Sequence, residues 1–496
     1  MESAGMLCSQ ALVDPLKVGA ASGGPGRWNF ALSVLLTAVF HMNAKRVHFI
    51  AIGGSAMHNL AIALQQKGFD VSGSDDEIFE PSRSRLDRLG LLPDKLGWDP
   101  LRIHAGLDAV ILGMHARADN PELKRAQELG IPVFSYPSYF HEQTRDKTRV
   151  VIGGSHGKTT ITSMIVHVLR HCGVEFDYLV GAQLEGFDCM VKLSDRSRVA
   201  IIEGDEYLAS ALQPVPKFHL YHPHIALISG VAWDHVNVFK TFADYVDQFR
   251  RFIALIEPGG SLVHCVEDAE VQALAEEPGV KARKVPYGVP AHRIADGVTY
   301  LITAQGEVPL QVFGRHNLMN MEGARHVCHQ LGIGDADFYA AIRSFHGAAK
   351  RLEKVAEGPG RVVYKDFAHS PSKLKATVDA VREQFPDRRL VACMELHTYS
   401  SLSEGFLDQY AGCIAAADVA IVFYDPHAVQ LKRLPPIPPE RIKAAFGRED
   451  LMVITDPVQV IGAVRGGTAE KAVLLMMSSG NFGGLDLQVL SEAFLA

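Results

Sequence analysis

The sequence predicts an α/β protein in which parallel sheets are covered by helices, and three observations carry that expectation. From Arg46 onward, apolar runs of strand length alternate with amphipathic stretches of helix length. Two of the strands run into glycine turns, at residues 52–57 and 153–160, as strands do where a sheet hands over to a nucleotide-binding helix. A chain of 496 residues amounts to about three ordinary domains, each able to bury its own core.

Taken in order, strands are expected at 47–52, 71–74 and 109–114, with a helix that sets Met57, Leu60, Ala61 and Leu64 on one face. That makes one Rossmann-like unit, 45–147. A charged, turn-prone stretch at 141–149 leads into a second unit, 148–347, with strands at 150–153, 199–203, 225–229 and 261–265. A helix is expected at 242–255, and the last helix of this unit after Gly314. The alternation restarts in a third unit, 348–496, with strands at 362–366, 390–394, 419–424, 451–454 and 473–477 and helices from Ser372 and Glu404. The proline-rich 434–439 reads as a loop. Residues 1–44 read as an upstream start or a loosely ordered extension, whose apolar run at 30–40 is too short to span a bilayer.

Lys plus Arg number 49 and Asp plus Glu 56, for a net charge of -7, so the chain offers no general attraction for nucleic acid or an anionic membrane. Any anion must be held locally. The seven cysteines are scattered without a Cys-x-x-Cys pair, which fits reduced thiols in a cytoplasmic protein.

The strongest local signal is Gly153-Gly154-Ser155-His156-Gly157-Lys158-Thr159-Thr160 between an apolar strand and a helix. Glycines let the backbone curl so that N–H groups point at phosphate oxygens, the helix N-terminus adds partial positive charge, and Lys158 reaches the terminal phosphates. Thr159 is placed to hold Mg²⁺. The loop is one residue tighter than G-x-x-x-x-G-K-[ST], because Ile152 stands five before Gly157. The next strand ends in Glu203-Gly204-Asp205-Glu206-Tyr207 and the following one near Asp234-His235, which puts candidate metal ligands on the same sheet edge.

In the first unit, Gly53, Gly54, Ser55, Ala56 and Met57 form the turn, and Asp75, after Ser74, follows Gly53 by the interval at which an acid meets a ribose hydroxyl. Without a full G-x-G-x-x-G, NAD and a UDP-sugar remain equally compatible. Zinc finds no third ligand at a recognisable spacing around His219, His222 and His224 or His167 and His171, which read as ordinary loop and surface histidines.

In order, these motifs resemble the Mur ligase family of cell-wall enzymes from about Lys45 to the C-terminus. The phosphate loop is similar to that family's ATP loop. Gly314-Arg315-His316-Asn317-Leu318-Met319-Asn320 resembles its adenine segment, which carries that role to His316, Asn317 and Asn320. Arg351, Asp366, His369 and Pro371 fall where the family has its third-domain arginine and Asp-x-x-His-x-Pro segment. His115 and Asn120-Pro121-Glu122 are similar to the branch acting on UDP-N-acetylmuramate. Within it, 203–207 and the segment 477–484 look like members that attach the tripeptide L-alanyl-γ-D-glutamyl-meso-diaminopimelate, with L-alanine addition as the alternative.

The resemblance implies three domains that hold the UDP-sugar, ATP and the amine in turn. It implies ATP and Mg²⁺ at Gly154, Ser155, His156, Gly157, Lys158, Thr159 and Thr160, with Lys158, Glu203 and His235 catalytic and Thr159, Glu203 and His235 on the metal. Candidate peptide contacts are His397, Ser479 and Asn481. The assembly expected is a monomer or weak dimer. A dehydrogenase would leave the Lys158 loop without a purpose, and a P-loop ATPase driving a partner would leave Gly53 and Asp75 idle.

Overall fold

Four parallel strands open the architecture, in spatial order Asp70–Ser74, Arg46–Ile50, Ala109–Leu112 and Val133–Ser135, with the helix Ser55–Gln66 covering one face. The computed structural model describes residues 45–114, 116–181, 187–210, 212–233, 238–348, 351–467 and 469–496. The extension expected at 1–44, together with His115 and His235, lies outside them. Residues 46–496 form one unit.

The second sheet has seven strands, ordered Arg283–Tyr287, Ser261–Cys265, Ile225–Ile228, Thr148–Gly153, Val199–Glu203, Asp177–Leu179 and Val191–Lys192, all parallel except the last. Its central strands are fully buried apolar runs, as a sheet covered on both faces requires. The chain crosses over in opposite directions on either side of Thr148–Gly153, so the carboxyl end of that strand is a switch point that opens a crevice between the diverging connections.

The third sheet has six strands, ordered Glu353–Gly358, Arg361–Asp366, Ala472–Met477, Arg389–Leu396, Val419–Tyr424 and Met452–Ile454. Only the first is antiparallel. Its helix Pro371–Gln384 packs towards the middle unit: Gln384 accepts from the Thr299 hydroxyl at 2.8 Å and donates to the Gly297 carbonyl at 2.6 Å. The first and middle units are tied by the Met190 N–H donating to Asn59 Oδ1 at 2.9 Å and by Ser135 donating to Gln213 at 2.9 Å.

Three features differ from the sequence expectation. The middle unit does not end with the helix after Gly314; Arg315–Gln330 is followed by Asp335–Ile342, whose first turn carries two aspartates that suit the helix dipole. The helix from Glu404 lasts four residues. A three-stranded antiparallel sheet, His292–Ala295, Val298–Thr303 and Gly306–Leu310, had no counterpart in the reading, because its strands are short and half exposed.

Candidate active site

The phosphate-type loop occupies the switch point, leaving Thr148–Gly153 and entering the helix Lys158–His171. Its curl depends on Gly154 at φ +127° and Gly157 at φ +76°, backbone conformations that side chains rarely adopt. Contacts forbid a side chain as well. A Cβ on Gly157 would lie 2.2 Å from Asn320 Oδ1, and one on Gly154 2.3 Å from Ser229 Oγ.

Lys158 donates from Nζ to the Gly154 carbonyl at 2.6 Å and to Glu206 Oε2 at 2.7 Å. Burial works against its charge, but Glu206, Asp205 and Glu203 outweigh it and raise its pKa, so the ammonium is permanent. Glu206, almost wholly buried, also accepts from the Tyr245 hydroxyl at 2.9 Å, which lies 2.8 Å from Ser155 Oγ. Thr159 donates to Glu203 Oε1 at 2.7 Å. A hydroxyl beside a carboxylate is an oxygen donor set that suits a hard divalent cation, and the glycine curl leaves room for phosphate oxygens.

Two cavities meet here. The smaller, about 370 Å³, is walled by the loop, by His316, Asn317 and Asn320, and by Arg351 and Asp366. The larger, about 1120 Å³, is lined by Tyr136, Asp205, Trp233, Arg351, His369 and the 398–400 segment, among others. Ser155, Lys158, Thr159, Glu203, Arg351 and Lys373 line both. Burial and the Arg351 cation push His316 down to about 4, so its ring is neutral at pH 7. Burial raises the Asp366 carboxyl, which accepts from the backbone N–H groups of Leu352 and Ala368 at 2.7 Å each. His156 Nε2 lies 3.1 Å from Ser372 Oγ, so the loop touches the third unit directly.

A third cavity, about 300 Å³, lies along the first-unit turn, walled by Gly54, Ser55, Ala56 and Met57 on one side and by Leu179, Asp205 and Lys217 on the other. Two residues read from the sequence as substrate contacts are corrected. Ser74 is fully buried and donates to Glu122, and Asn120 caps the helix Pro121–Glu128 by accepting from the N–H groups of Glu122 and Leu123 at 2.9 and 3.1 Å. Asp75 is buried and accepts from the Gly53 N–H at 2.7 Å, so its carboxylate braces the turn.

In the third unit, His369 lines the large cleft. His397, Ser479 and Asn481 stand outside the walls of these cavities: His397 lies 3.5 Å from buried Glu395, the Ser479 hydroxyl is buried without a hydrogen-bond partner, and Asn481 is exposed. Four residues escaped the sequence reading: Tyr136, Lys217, Tyr245 and Lys373. None sits in a motif; each reaches the site from an element that only the fold brings near.

The Mur ligase family catalytic domain matches residues 46–148, the Mur ligase middle domain 152–328, and the Mur ligase glutamate ligase domain 350–480. The UDP-N-acetylmuramate–L-alanine ligase of Arthrobacter sp. (strain FB24) is 32% identical over 402 residues, which cover 79% of this chain and 84% of that protein. The enzyme of the same name from Xylella fastidiosa (strain 9a5c) is 30% identical over 477 residues, covering 91% and 96%. Among solved structures, the UDP-N-acetylmuramate-alanine ligase of Thermotoga maritima superposes with a TM-score of 0.64 at 21% identity, covering 91% of this chain and 98% of that one. A murein peptide ligase from Psychrobacter arcticus 273-4 gives 0.57 at 21%, covering 91% and 99%. With three domains matched in order and two relatives aligned over most of their length, the chain belongs to the Mur ligase family and is an ATP-dependent ligase that forms amide bonds.

Proposed function

We propose that this chain joins the carboxylate of UDP-N-acetylmuramate to an amine through an acyl phosphate, with L-alanine as the first-choice amine. The meeting of two cavities along Lys158, Thr159, Glu203 and Arg351 carries the reading. A triphosphate seated in the smaller cavity would present its outer phosphoryl group to the larger one at these residues.

A carboxylate is a poor electrophile and oxide a poor leaving group; phosphorylation removes both obstacles. A muramoyl carboxylate oxygen attacks the γ-phosphorus, the bond to the ADP oxygen breaks, and an acyl phosphate forms. The neutral amine then attacks the acyl carbon, the tetrahedral adduct expels phosphate, and the amine loses its proton. Approach of a carboxylate to a triphosphate crowds negative charge, and the Lys158 ammonium stands where that charge accumulates. Thr159 and Glu203 would hold Mg²⁺, which supplies further neutralisation. His235, expected as a further ligand, lies outside the described residues. Gly154, Ser155, His156, Gly157 and Thr160 would cradle the phosphates, His316, Asn317, Asn320 and Asp366 the rest of the nucleotide, and the cavity at Gly54–Met57 the UDP-sugar. Enclosure of the junction by all three units would keep water from the activated acyl group.

The names of the aligned relatives favour L-alanine over the tripeptide. The large cleft favours a second reading: about 1120 Å³ exceeds what a muramoyl group and alanine fill and leaves room for a tripeptide. The test offers ATP and UDP-N-acetylmuramate with either L-alanine or L-alanyl-γ-D-glutamyl-meso-diaminopimelate and follows phosphate release. Phosphate should appear only with all three components. Preference for the tripeptide would promote the second reading, and release without the sugar nucleotide would sink both.

A further inference from the structure

The cavity along the first-unit turn poses an electrostatic question, because the sugar nucleotide proposed for it carries a diphosphate and a carboxylate. Among the described residues lining it, Lys217 is the one Lys or Arg and Asp205 the one carboxylate. Neither belongs to the glycine turn. Both come from the middle unit, and their pairing is built into the local chain.

After Glu203 the chain makes an excursion closed by a bridge between Leu208 and Pro216. The Lys217 N–H then donates to the Tyr207 carbonyl at 2.9 Å and the Phe218 N–H to the Asp205 carbonyl at 3.1 Å, which fixes Lys217 at the start of a short 3-10 helix beside Asp205. Its Nζ donates to Asp205 Oδ2 at 2.6 Å and sits 5.8 Å from the centre of the Tyr136 ring. Tyr136, Leu179, Gly181 and Asp205 line both this cavity and the large cleft, so Lys217 stands at the passage from the sugar-nucleotide side towards Lys158. Burial opposes its charge, yet Tyr136 and Asp205 more than compensate and raise its pKa. An ammonium has three donors, and Asp205 takes one.

We propose that Lys217 is a substrate-binding residue whose remaining N–H donors bond to the muramoyl carboxylate as it passes from the first-unit cavity towards the phosphate loop. This rests on the sugar-nucleotide reading and adds to it a specificity determinant. Asp205 acts through Lys217 as a positioning residue: it fixes the ammonium at the passage and offsets its charge, so that the carboxylate is held without being trapped short of the reacting phosphoryl group.

The test is calorimetric titration of the full chain, wild type and the variants Lys217→Gln, Lys217→Ala and Lys217→Arg, with UDP-N-acetylmuramate and with UDP-N-acetylglucosamine, which shares the nucleotide and lacks the lactyl carboxylate. The two neutral variants should bind the first ligand about tenfold more weakly or worse and the second as wild type does, because only a charge-assisted hydrogen bond to the carboxylate is lost. Lys217→Arg should recover part of that loss. Equal weakening for both ligands would place the cation on the diphosphate and overturn the proposal, as would unchanged binding of both. A variant that fails to fold shows in its melting curve, and the other two then carry the comparison. Wild-type protein that binds neither ligand would instead refute the sugar-nucleotide reading, an outcome visible before any variant is made.

Discussion

Glu206 and Lys158 form a buried ion pair at 2.7 Å, with the carboxylate almost wholly shielded from water. Removing one partner therefore leaves the other without its counter-ion at 2.7 Å. Lys158→Ala is expected to lower turnover by about 10²–10³-fold or more and also to lose about 3 kcal/mol of stability, because buried Glu206 loses the cation that offsets its charge. Adding Glu206→Gln should return most of the stability and none of the activity. Thermal melting and a phosphate-release assay on the single and double variants check both halves; additive stability losses would contradict the coupling.

Gly157 has a φ of +76° and no room for a Cβ against Asn320. Gly157→Ala should cost about 1–2 kcal/mol in backbone strain alone and weaken binding of a non-hydrolysable ATP analogue. Combining it with Asn320→Ala should relieve the clash and leave the strain, so the double variant should melt between wild type and Gly157→Ala. Unaltered analogue binding by Gly157→Ala would argue against a phosphate cradle.

Burial pushes the Asp75 carboxyl up to about 6, against the Gly53 N–H that it accepts. An unfolded aspartate titrates near about 3.9, so the folded chain holds this proton more tightly. Its contribution to stability is complete below about pH 4 and disappears as the pH climbs through about 6, an effect on the order of 2–3 kcal/mol. Asp75→Asn keeps an acceptor for Gly53 and cannot ionise. Urea unfolding across this window should show a decline in wild type that is missing from the variant; parallel curves would rule the effect out.

Asn120 caps a helix and does not line the cavity along the first-unit turn. Asn120→Ala should cost about 1 kcal/mol and leave the KM for the sugar nucleotide where it was. A raised KM at unchanged stability would restore the substrate contact that the sequence motif suggested.

Strands were legible where burial on both faces forces continuous apolar runs: 199–203, 261–265 and 419–424 were read to the residue. The phosphate-type loop was legible because its glycines are demanded by backbone geometry and contact, which leave a mark in any sequence. Ser74 and Asn120 were misread for a related reason. Both are polar residues beside a turn, and sequence position cannot show that Glu122 and a helix N-terminus already claim their side chains. Lys217 and Tyr245 were invisible, since a lysine after a proline-rich turn and a tyrosine on an amphipathic helix acquire meaning only from what the fold sets opposite them.

The strand Ala472–Met477 sits between Arg361–Asp366 and Arg389–Leu396, although every other strand of that sheet precedes it in the chain. While the polypeptide is being made, the two flanking strands must therefore wait with unmatched ladders of N–H and C=O groups until residues 472–477 leave the ribosome. A translation product halted before residue 472 would present two apolar edges with unmatched N–H and C=O groups, so this sheet can close only after residues 472–477 have been made.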